Sequence, residues 1–214
     1  MPRILPPGCG ANVSTEWRCV TSITWAAYDG DRMTTDDAET RTGDPDPNMP
    51  NRSSPIDWLD LRRVPGLATA PGRLGMTGLA GVRSLRRQDR VDKLVLLVED
   101  SELAAVGVPG IADSLAGEGI AVIRHPIADM GVPADGTVFR MVLDVVRDDV
   151  FGGLTVVVAC FGGFGRTGTA VACLLVDAGL AGDAAITLVR ATRPGTIETR
   201  SQEAFVRAWV AAKT

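Results

Sequence analysis

The sequence predicts an α/β fold, in which a central, mostly parallel sheet of about four to five strands is flanked by helices on both faces. Continuous apolar runs, which are typical of strands buried on both faces, recur along the chain. Segments with apolar residues at helical spacing lie between them, and strands that alternate with helices build parallel sheets. The 214 residues, 45% hydrophobic and 22% charged, suffice for one such domain with a sizeable core.

Each element is predicted from its own local pattern. We predict strands in residues 71–77, 94–98, 119–123 and 154–159. We predict helices over residues 83–90, 101–117, 136–150, 167–178 and 184–192, and a last helix from residue 201 onward. Asp183 and Ser201 are the predicted N-caps of the last two helices, because their side chains can accept from backbone N–H groups. The helix over 83–90 would bring four arginines near one face, as a solvated surface or to steer an anionic substrate: Arg83, Arg86, Arg87 and Arg90.

The first 52 residues differ in composition from the rest. They are polar and rich in turn residues, so we predict an irregular or partly disordered N-terminal extension. Residues 53–214 are predicted to form the folded domain that carries the chemistry. No run approaches the ~20 apolar residues of a membrane span, and the N-terminus has no apolar stretch of signal-peptide length. We therefore expect a cytoplasmic protein without a membrane partner.

Charge, cysteine and histidine content argue against several classes of protein. The net charge of −4 does not favour a broad nucleic-acid-binding surface. Cys9, Cys19, Cys160 and Cys173 form no Cys-x-x-Cys pair, and His125 is the only histidine. This content does not favour a zinc site or a disulfide scaffold. We expect reduced cysteines, no metal and no cofactor.

A glycine-rich segment follows the strand predicted at 154–159. It begins with Cys160 and ends with Arg166 and Thr167, and three of the five residues between Cys160 and Arg166 are glycines. Backbone N–H groups in such a turn can point at one anion, and the positive end of the next helix dipole adds to the same place. Cys160 would be favoured there as a thiolate nucleophile, and the guanidinium of Arg166 suits two phosphate oxygens.

The rest of this loop has predicted roles as well. We expect Thr167 to donate its hydroxyl to the thiolate and to help it leave in a second step. The residues between the cysteine and the arginine are the predicted phosphate-binding residues: Phe161, Gly162, Gly163, Phe164 and Gly165.

Two other kinds of phosphate-binding loop fit the segment less well. Residues 163–168 formally match G-x-G-x-x-G, the pattern of dinucleotide sites, and Asp183 falls twenty residues after Gly163. The ribose-binding acid should lie at the end of the next strand, whereas Asp183 precedes a segment with helical spacing. A Walker A loop requires a lysine that this segment lacks. Cysteine chemistry on a phosphate is therefore the favoured interpretation.

Hydrolysis of a phosphate ester also requires a proton for the leaving oxygen. Residues 125–133 follow the strand predicted at 119–123, so they should lie at the carboxyl edge of the sheet, near Cys160. Asp129 is the predicted general acid; the alternative for this residue is a carboxylate that caps the loop. Asp135 is the fallback acid. His125 is predicted to pack or hydrogen-bond beside Pro126 rather than to act in catalysis.

These segments resemble a known superfamily. Cys160-Phe-Gly-Gly-Phe-Gly-Arg-Thr167 resembles the signature loop of protein tyrosine and dual-specificity phosphatases, and Asp129-Met-Gly-Val-Pro133 resembles their general-acid loop. Together with residues 125–129, the sequence is most similar to the kinase-associated phosphatase (cyclin-dependent kinase inhibitor 3) type, over residues 55–212. The resemblance implies a metal-free, two-step reaction through a phosphocysteine intermediate. It implies that Asp129 gives a proton to the leaving group and then takes one from the attacking water.

The resemblance bears on two further positions. Gln202 matches a glutamine that can order water in such phosphatases; the alternative is an exposed residue in the first turn of a helix. Ala159 stands where the family usually has a histidine that helps to order the loop. This departure predicts that the thiolate of Cys160 is less favoured than in relatives.

The main hypothesis is a phosphomonoester hydrolase that removes phosphate from Ser, Thr or Tyr of a phosphoprotein. A phosphatase for a small phosphorylated metabolite, such as a nucleotide, a sugar or a biosynthetic intermediate, is the first alternative. A pseudophosphatase that only binds phosphorylated partners is the second, and Ala159 keeps it open. A redox sensor with Cys173 as resolving thiol is the third, although the helical position of Cys173 is typical of a core residue.

Overall fold

The computed structural model describes residues 56–210. Their five strands form one sheet: β1 (Asp57–Trp58), β2 (Arg73–Gly78), β3 (Lys93–Leu96), β4 (Ala121–Arg124) and β5 (Thr155–Cys160). The spatial order is β1-β2-β5-β3-β4. Strands β2, β5, β3 and β4 run parallel to one another, and the edge strand β1 is antiparallel to β2. The predicted α/β fold with a mostly parallel sheet is confirmed.

Seven α-helices accompany the sheet within the described residues. They are α1 (Leu79–Ser84), α2 (Asp100–Ala105), α3 (Ile111–Gly117), α4 (Gly136–Phe151), α5 (Gly165–Asp177), α6 (Gly182–Thr192) and α7 (Arg200–Ala208). Short 3-10 turns at Leu61–Arg63, Pro65–Leu67 and Arg87–Asp89 complete the described elements.

Helices cover the sheet on both faces, as predicted. Alternate residues of a strand point to opposite faces. Val156 and Val158 accordingly belong to an apolar cluster with residues of α4, α5, α6 and α7. Val157 and Ala159 belong to a second cluster, on the side of α1, α2 and α3. Strand β5 is thus buried on both sides, which explains why its sequence is a continuous apolar run.

The segments that follow three of the strands all begin at the same edge of the sheet. In the parallel register, Leu96 of β3 lies opposite Ala159 of β5 and opposite Arg124 of β4. Helix α2 therefore follows β3, the segment 125–135 follows β4, and the glycine-rich loop follows β5, all at the carboxyl edge. The N–H of Ile127 donates to the carbonyl of Leu97 (3.0 Å), which joins two of these segments. Ligand sites of parallel sheets lie at this edge.

Two predicted helices are wrong in extent. The predicted helix over 83–90 is replaced by α1, which ends at Ser84, and by the 3-10 turn. Leu85 leaves the helix with extended backbone and is buried in the core, and Arg90 adopts a positive φ of 53°. The four arginines therefore do not share a helical face. The helix predicted over 101–117 is split into α2 and α3, because Gly107 adopts φ +73° and Pro109 follows.

Both predicted N-caps are also wrong. Ala181 precedes α6, while Asp183 lies in its first turn and accepts from Nε of Arg207 (2.7 Å). Thr199, not Ser201, caps α7, since its Oγ1 accepts from the N–H of Gln202 (3.1 Å). In both helices the chain becomes helical earlier than the side-chain pattern indicated.

Several predictions concern residues outside the part of the chain that the structure describes. They include the irregular extension over residues 1–52, with Cys9 and Cys19. Between residues 56 and 210, no helix is both long enough and apolar enough to span a membrane.

An aromatic cluster holds the segment after β4 against α4 and α7. Phe139, fully buried in α4, lies 5.4 Å from the ring of His125 and 5.5 Å from that of Trp209 (centroid distances). Phe205 completes the cluster. Burial lowers the pKa of His125, and the negative charge of Asp135 offsets this only in part. His125 is therefore a packing residue, as the sequence predicted.

The pH dependence of His125 provides a test of this packing. Its pKa is lower in the folded than in the unfolded protein, so the unfolded chain binds the proton more readily below about pH 6.5. Stability should therefore fall as the pH is lowered from about 6.5 through the folded pKa. We expect the single imidazole signal in NMR to titrate below about 6.5 in native protein and near 6.5 in denaturant. A native midpoint at or above the denatured one would contradict this packing, and His125→Gln should remove this part of the pH dependence.

Candidate active site

The glycine-rich loop joins the last residue of β5 to the first residues of α5. Cys160 ends β5 and is buried, and α5 begins at Gly165. The backbone N–H of Gly163 points at Sγ of Cys160, with an N–S distance of 3.2 Å. An N–H dipole aimed at sulfur stabilises negative charge there. The predicted anion-binding loop thus directs one backbone N–H donor at the cysteine.

The loop requires glycine where it presses against the end of β2. Gly163 has φ +77°, and a Cβ at this position would lie 2.5 Å from the carbonyl group of Thr77 and the nitrogen of Gly78. The N–H of Leu79 donates to the carbonyl of Phe161 (2.8 Å). A side chain at Gly163 would therefore both strain the backbone and push the loop away from β2.

Arg166 lies in the first turn of α5 with a side chain that is only 2% exposed. Nη1 and Nη2 donate to the two carboxylate oxygens of Glu102, at 2.6 and 2.8 Å, and Nη1 also donates to the carbonyl of Ile127 (3.0 Å). Burial alone would lower the pKa of Arg166. The hydrogen bonds to Glu102, with the negative charges of Cys160, Glu102 and Asp129, outweigh burial and raise this pKa.

Glu102 responds to the same contacts. Partial burial alone would raise the pKa of Glu102, but hydrogen bonds from Arg166 and from the backbone N–H of Glu99 outweigh burial, so the pKa is lowered. Glu102 is therefore a carboxylate at neutral pH. Its bidentate contact fixes the plane of the guanidinium as well as its position.

The predicted general acid lies beside this arginine. Oδ1 of Asp129 is 3.1 Å from Nη2 of Arg166, and the aspartate side chain is 62% exposed. The next residue, Met130, has a positive φ of 58°. The predicted nucleophile at the end of β5, the predicted phosphate-binding arginine after it and the predicted acid after β4 thus lie at the same edge of the sheet. The fallback acid Asp135 is already committed, because it is the N-cap of α4 and accepts from the N–H groups of Thr137 and Val138.

The remaining predicted site residues differ in exposure. Thr167 is fully buried, and its Oγ1 has no hydrogen-bond partner among residues 56–210. Phe161 and Gly162 are exposed, Phe164 is partly buried, and Gly165 is buried. A buried hydroxyl without a partner is costly, so the hydroxyl of Thr167 remains available for a further hydrogen bond.

Gln202 is buried rather than exposed at the start of α7. Its Oε1 accepts from the backbone N–H groups of Glu198 and Thr199 (2.9 and 3.2 Å), and its Nε2 donates to the carbonyl of Gly131 (3.1 Å). Gln202 therefore ties the predicted acid loop to α7. A Cβ built on Gly165 would lie 2.8 Å from Nε2 of Gln202, so this amide also packs against the glycine-rich loop.

Sequence reasoning missed the charged residues that support the loop from other elements. Glu102 and Arg193 are the main examples, together with Asp57, which pairs with Arg193 (2.6 Å). A weak signal existed for Glu102, because it lies in the first turn of the helix that follows a strand neighbouring β5. No local pattern indicated the pair of Asp57 and Arg193, which are 136 residues apart.

Cys173 lies inside α5 and is fully buried. Burial raises the pKa of Cys173 strongly, with a further contribution from the charge of Asp177. A thiol that is buried and protonated is a poor partner for disulfide exchange. Within residues 56–210, no group of three His, Cys, Asp or Glu side chains is arranged to hold a metal ion.

A parallel α/β sheet with a cysteine, a glycine-rich loop and a buried arginine at its carboxyl edge defines a cysteine-dependent phosphatase. Comparison with protein families supports this class directly: the PTP-SAK model, described as a Swiss Army Knife protein, DSP-PTPase phosphatase domain, matches residues 91–206. The chain therefore belongs to this family of dual-specificity phosphatase domains. The predicted superfamily is confirmed.

Solved structures agree with the family. Kinase-associated phosphatase matches with a TM-score of 0.64 and 24% identity, over 72% of this chain and 94% of that one. Tk-PTP in its active form matches with a TM-score of 0.57 and 31% identity, over 64% and 90%. PTPMT1 in complex with PI(5)P matches with a TM-score of 0.55 and 17% identity, over 64% and 88%. The likeness to kinase-associated phosphatase is thus borne out in the fold.

Removing the charge of Glu102 should impair Arg166 without removing Arg166 itself. We expect Glu102→Gln to lower kcat/KM for an aryl phosphate by roughly tenfold to a hundredfold, the equivalent of one or two charge-assisted hydrogen bonds. Asp100→Asn is the matched control, since Asp100 lies in the same helix and pairs with Arg124 in a largely exposed contact. Equal kinetics for the two variants would contradict the positioning role of Glu102.

Proposed function

We propose that this protein is a phosphomonoester hydrolase that acts through a phosphocysteine intermediate and removes phosphate from a phosphoprotein. The observation that carries the proposal is the convergence on one loop of an N–H donor at the Cys160 sulfur and a buried, fixed guanidinium of Arg166. The first would stabilise the thiolate. The second would hold two oxygens of the phosphoryl group as charge spreads over them in the transition state, through Nε and through the Nη2 N–H that Asp129 would release.

The first chemical step would be attack of the Cys160 thiolate on phosphorus. An S–P bond forms and the bond from phosphorus to the ester oxygen breaks, while Asp129, released from Arg166 and in its protonated form, gives its proton to that oxygen. In the second step a water attacks phosphorus, Asp129 takes a proton from the water, and the S–P bond breaks. Inorganic phosphate leaves, the thiolate is restored, and Asp129 is protonated again. Thr167 would donate its hydroxyl to the departing thiolate.

The rim of the site supports a phosphoprotein as substrate. Phe161, on the phosphate loop, is 45% exposed, and Met130, on the acid loop, is 50% exposed. Large apolar side chains at the mouth of a polar site favour a substrate that brings its own apolar surface, as a polypeptide does around a phosphorylated side chain. A small phosphorylated metabolite is the second candidate. The similarly folded PTPMT1 was solved in complex with PI(5)P, which is a phosphorylated lipid and which shows that a non-protein phosphate ester fits that fold.

Ala159 does not remove the support for catalysis. It is fully buried in the apolar cluster on the side of α1, α2 and α3. The described loop is ordered by other contacts, which include the hydrogen bond from Leu79 to Phe161. Cys160, Arg166 and Asp129 are all present, which argues against a pseudophosphatase.

Cysteine dependence is tested first. The unmodified protein should hydrolyse p-nitrophenyl phosphate, and Cys160→Ser should abolish turnover, while Cys173→Ala should retain it. Rapid acid quench with a radiolabelled phosphopeptide should trap label on Cys160. Phosphate binding without any turnover by the unmodified protein would instead establish a pseudophosphatase. The kcat/KM values for phosphopeptides, nucleotides, sugar phosphates and PI(5)P then decide the substrate class, and a preference for the small molecules would refute the phosphoprotein proposal.

Asp129 is tested by the dependence of rate on the leaving group. Asp129→Asn should slow hydrolysis by about 10²- to 10⁴-fold for alkyl phosphates, which need the proton, and much less for nitrophenyl phosphate. Asp135→Asn is the control, since asparagine also caps helices and Asp135 is engaged at the start of α4. Equal losses for good and poor leaving groups would exclude Asp129 as the acid.

A further inference from the structure

We propose that Arg193 is a positioning residue that locks the peptide group between Gly162 and Gly163 in the orientation that an anion requires. The proposal deepens the proposed phosphatase function and rests on it. Nη2 of Arg193 donates to the carbonyl oxygen of Gly162 at 3.1 Å. Arg193 follows the last residue of α6 and is therefore not part of the glycine-rich loop itself.

The carbonyl of Gly162 and the N–H of Gly163 belong to one planar unit. The described chain contains no cis peptide bond, so these two groups point in opposite directions. Holding the oxygen outward on Arg193 therefore directs the N–H inward, where it lies 3.2 Å from Sγ of Cys160. The contact of Arg193 with the carbonyl oxygen thus fixes the direction of the N–H that faces Cys160.

This peptide group needs an external restraint. It joins two glycines, which have no Cβ to bias their backbone angles and which sample both signs of φ freely. A rotation of the peptide plane by about 180° would turn the N–H donor away from Cys160. It would place a carbonyl oxygen beside the thiolate and the bound phosphate, where its partial negative charge repels both.

Arg193 is itself held firmly enough to act as a restraint. It is 9% exposed, and its Nη1 donates to Oδ2 of Asp57 at 2.6 Å. Its guanidinium lies over the ring of Phe164, 4.4 Å from the centroid. The planar fork serves the carboxylate and the carbonyl with separate nitrogens, whereas a lysine ammonium has no such rigid geometry. The short edge strand β1 thus contributes to the site through Asp57.

The protein contains a matched arginine away from the loop. Arg140 in α4 pairs with Asp177, donates to the carbonyl of Val210 (2.7 Å) and lies 4.2 Å from the ring centroid of Trp209. It therefore makes the same three kinds of contact as Arg193. Arg140→Gln should cost stability in a similar way without affecting the phosphate loop.

The experiment compares Arg193→Gln, Arg193→Lys and Arg140→Gln in the full chain. Vanadate binding is measured by calorimetry, and the rate of Cys160 alkylation by iodoacetamide is measured against pH. We expect Arg193→Gln to weaken vanadate binding about tenfold or more, as expected for loss of an oriented, charge-assisted hydrogen bond. We also expect its alkylation profile to move to higher pH and kcat/KM to fall. Arg193→Lys should recover these losses only in part.

The outcome is decided by comparing Arg193→Gln with the control Arg140→Gln and with the conservative variant Arg193→Lys. Arg140→Gln should bind vanadate and react with iodoacetamide like the unmodified protein. If Arg193→Gln does so too, or if both glutamine variants lose binding equally, the positioning role is refuted. Should Arg193→Gln fail to fold, as judged by urea unfolding, Arg193→Lys and Asp57→Asn carry the same test. The alkylation rate of Cys160 reports on the glycine-rich loop even in the absence of turnover. The positioning role of Arg193 and the proposed phosphatase function can therefore be refuted separately.

Discussion

The buried positive charge of Arg166 is the constraint around which the site is organised. A guanidinium with a side chain 2% exposed cannot remain in the protein without partners, because an uncompensated buried charge costs several kcal/mol. Glu102, the carbonyl of Ile127 and Asp129 supply those partners. They come from the segments that follow β3 and β4, so neutralising one side chain holds together the ends of three neighbouring strands. The position and the plane of the guanidinium are consequently fixed by contacts within the protein.

The parallel sheet makes this convergence possible, and the loop adds little order of its own. Its glycines allow the tight turn and the positive φ of Gly163, but they do not enforce either. Order is imposed by rigid elements around the loop. The end of β2 blocks one side, where Thr77 and Gly78 press against Gly163. Helix α7 blocks another through Gln202, which also holds the carbonyl of Gly131 in the acid loop.

The sequence predicts those parts of the protein that depend on local pattern. The apolar runs of β3 and β5 and the segment from Cys160 to Arg166 could be recognised because each is complete within a few residues. Failures occurred where distant contacts decide the backbone. Burial of Leu85 ends α1 early, against the predicted helix. Glu102 lies 64 residues from Arg166 in the chain, so its role depends on strand order and register, which no local pattern contains.

Two ion pairs therefore fix two different groups at the proposed anion site. The pair of Glu102 and Arg166 fixes a full positive charge, while the pair of Asp57 and Arg193 fixes a peptide dipole. A peptide dipole next to the Cys160 sulfur would stabilise negative charge there in only one orientation, and a flexible glycine pair would otherwise sample both. Surface ion pairs contribute little to stability, but these two are largely buried and each arginine also bonds a backbone carbonyl. The two pairs therefore act through geometry. One fixes the orientation of a guanidinium, and the other fixes the orientation of a peptide group that could otherwise rotate.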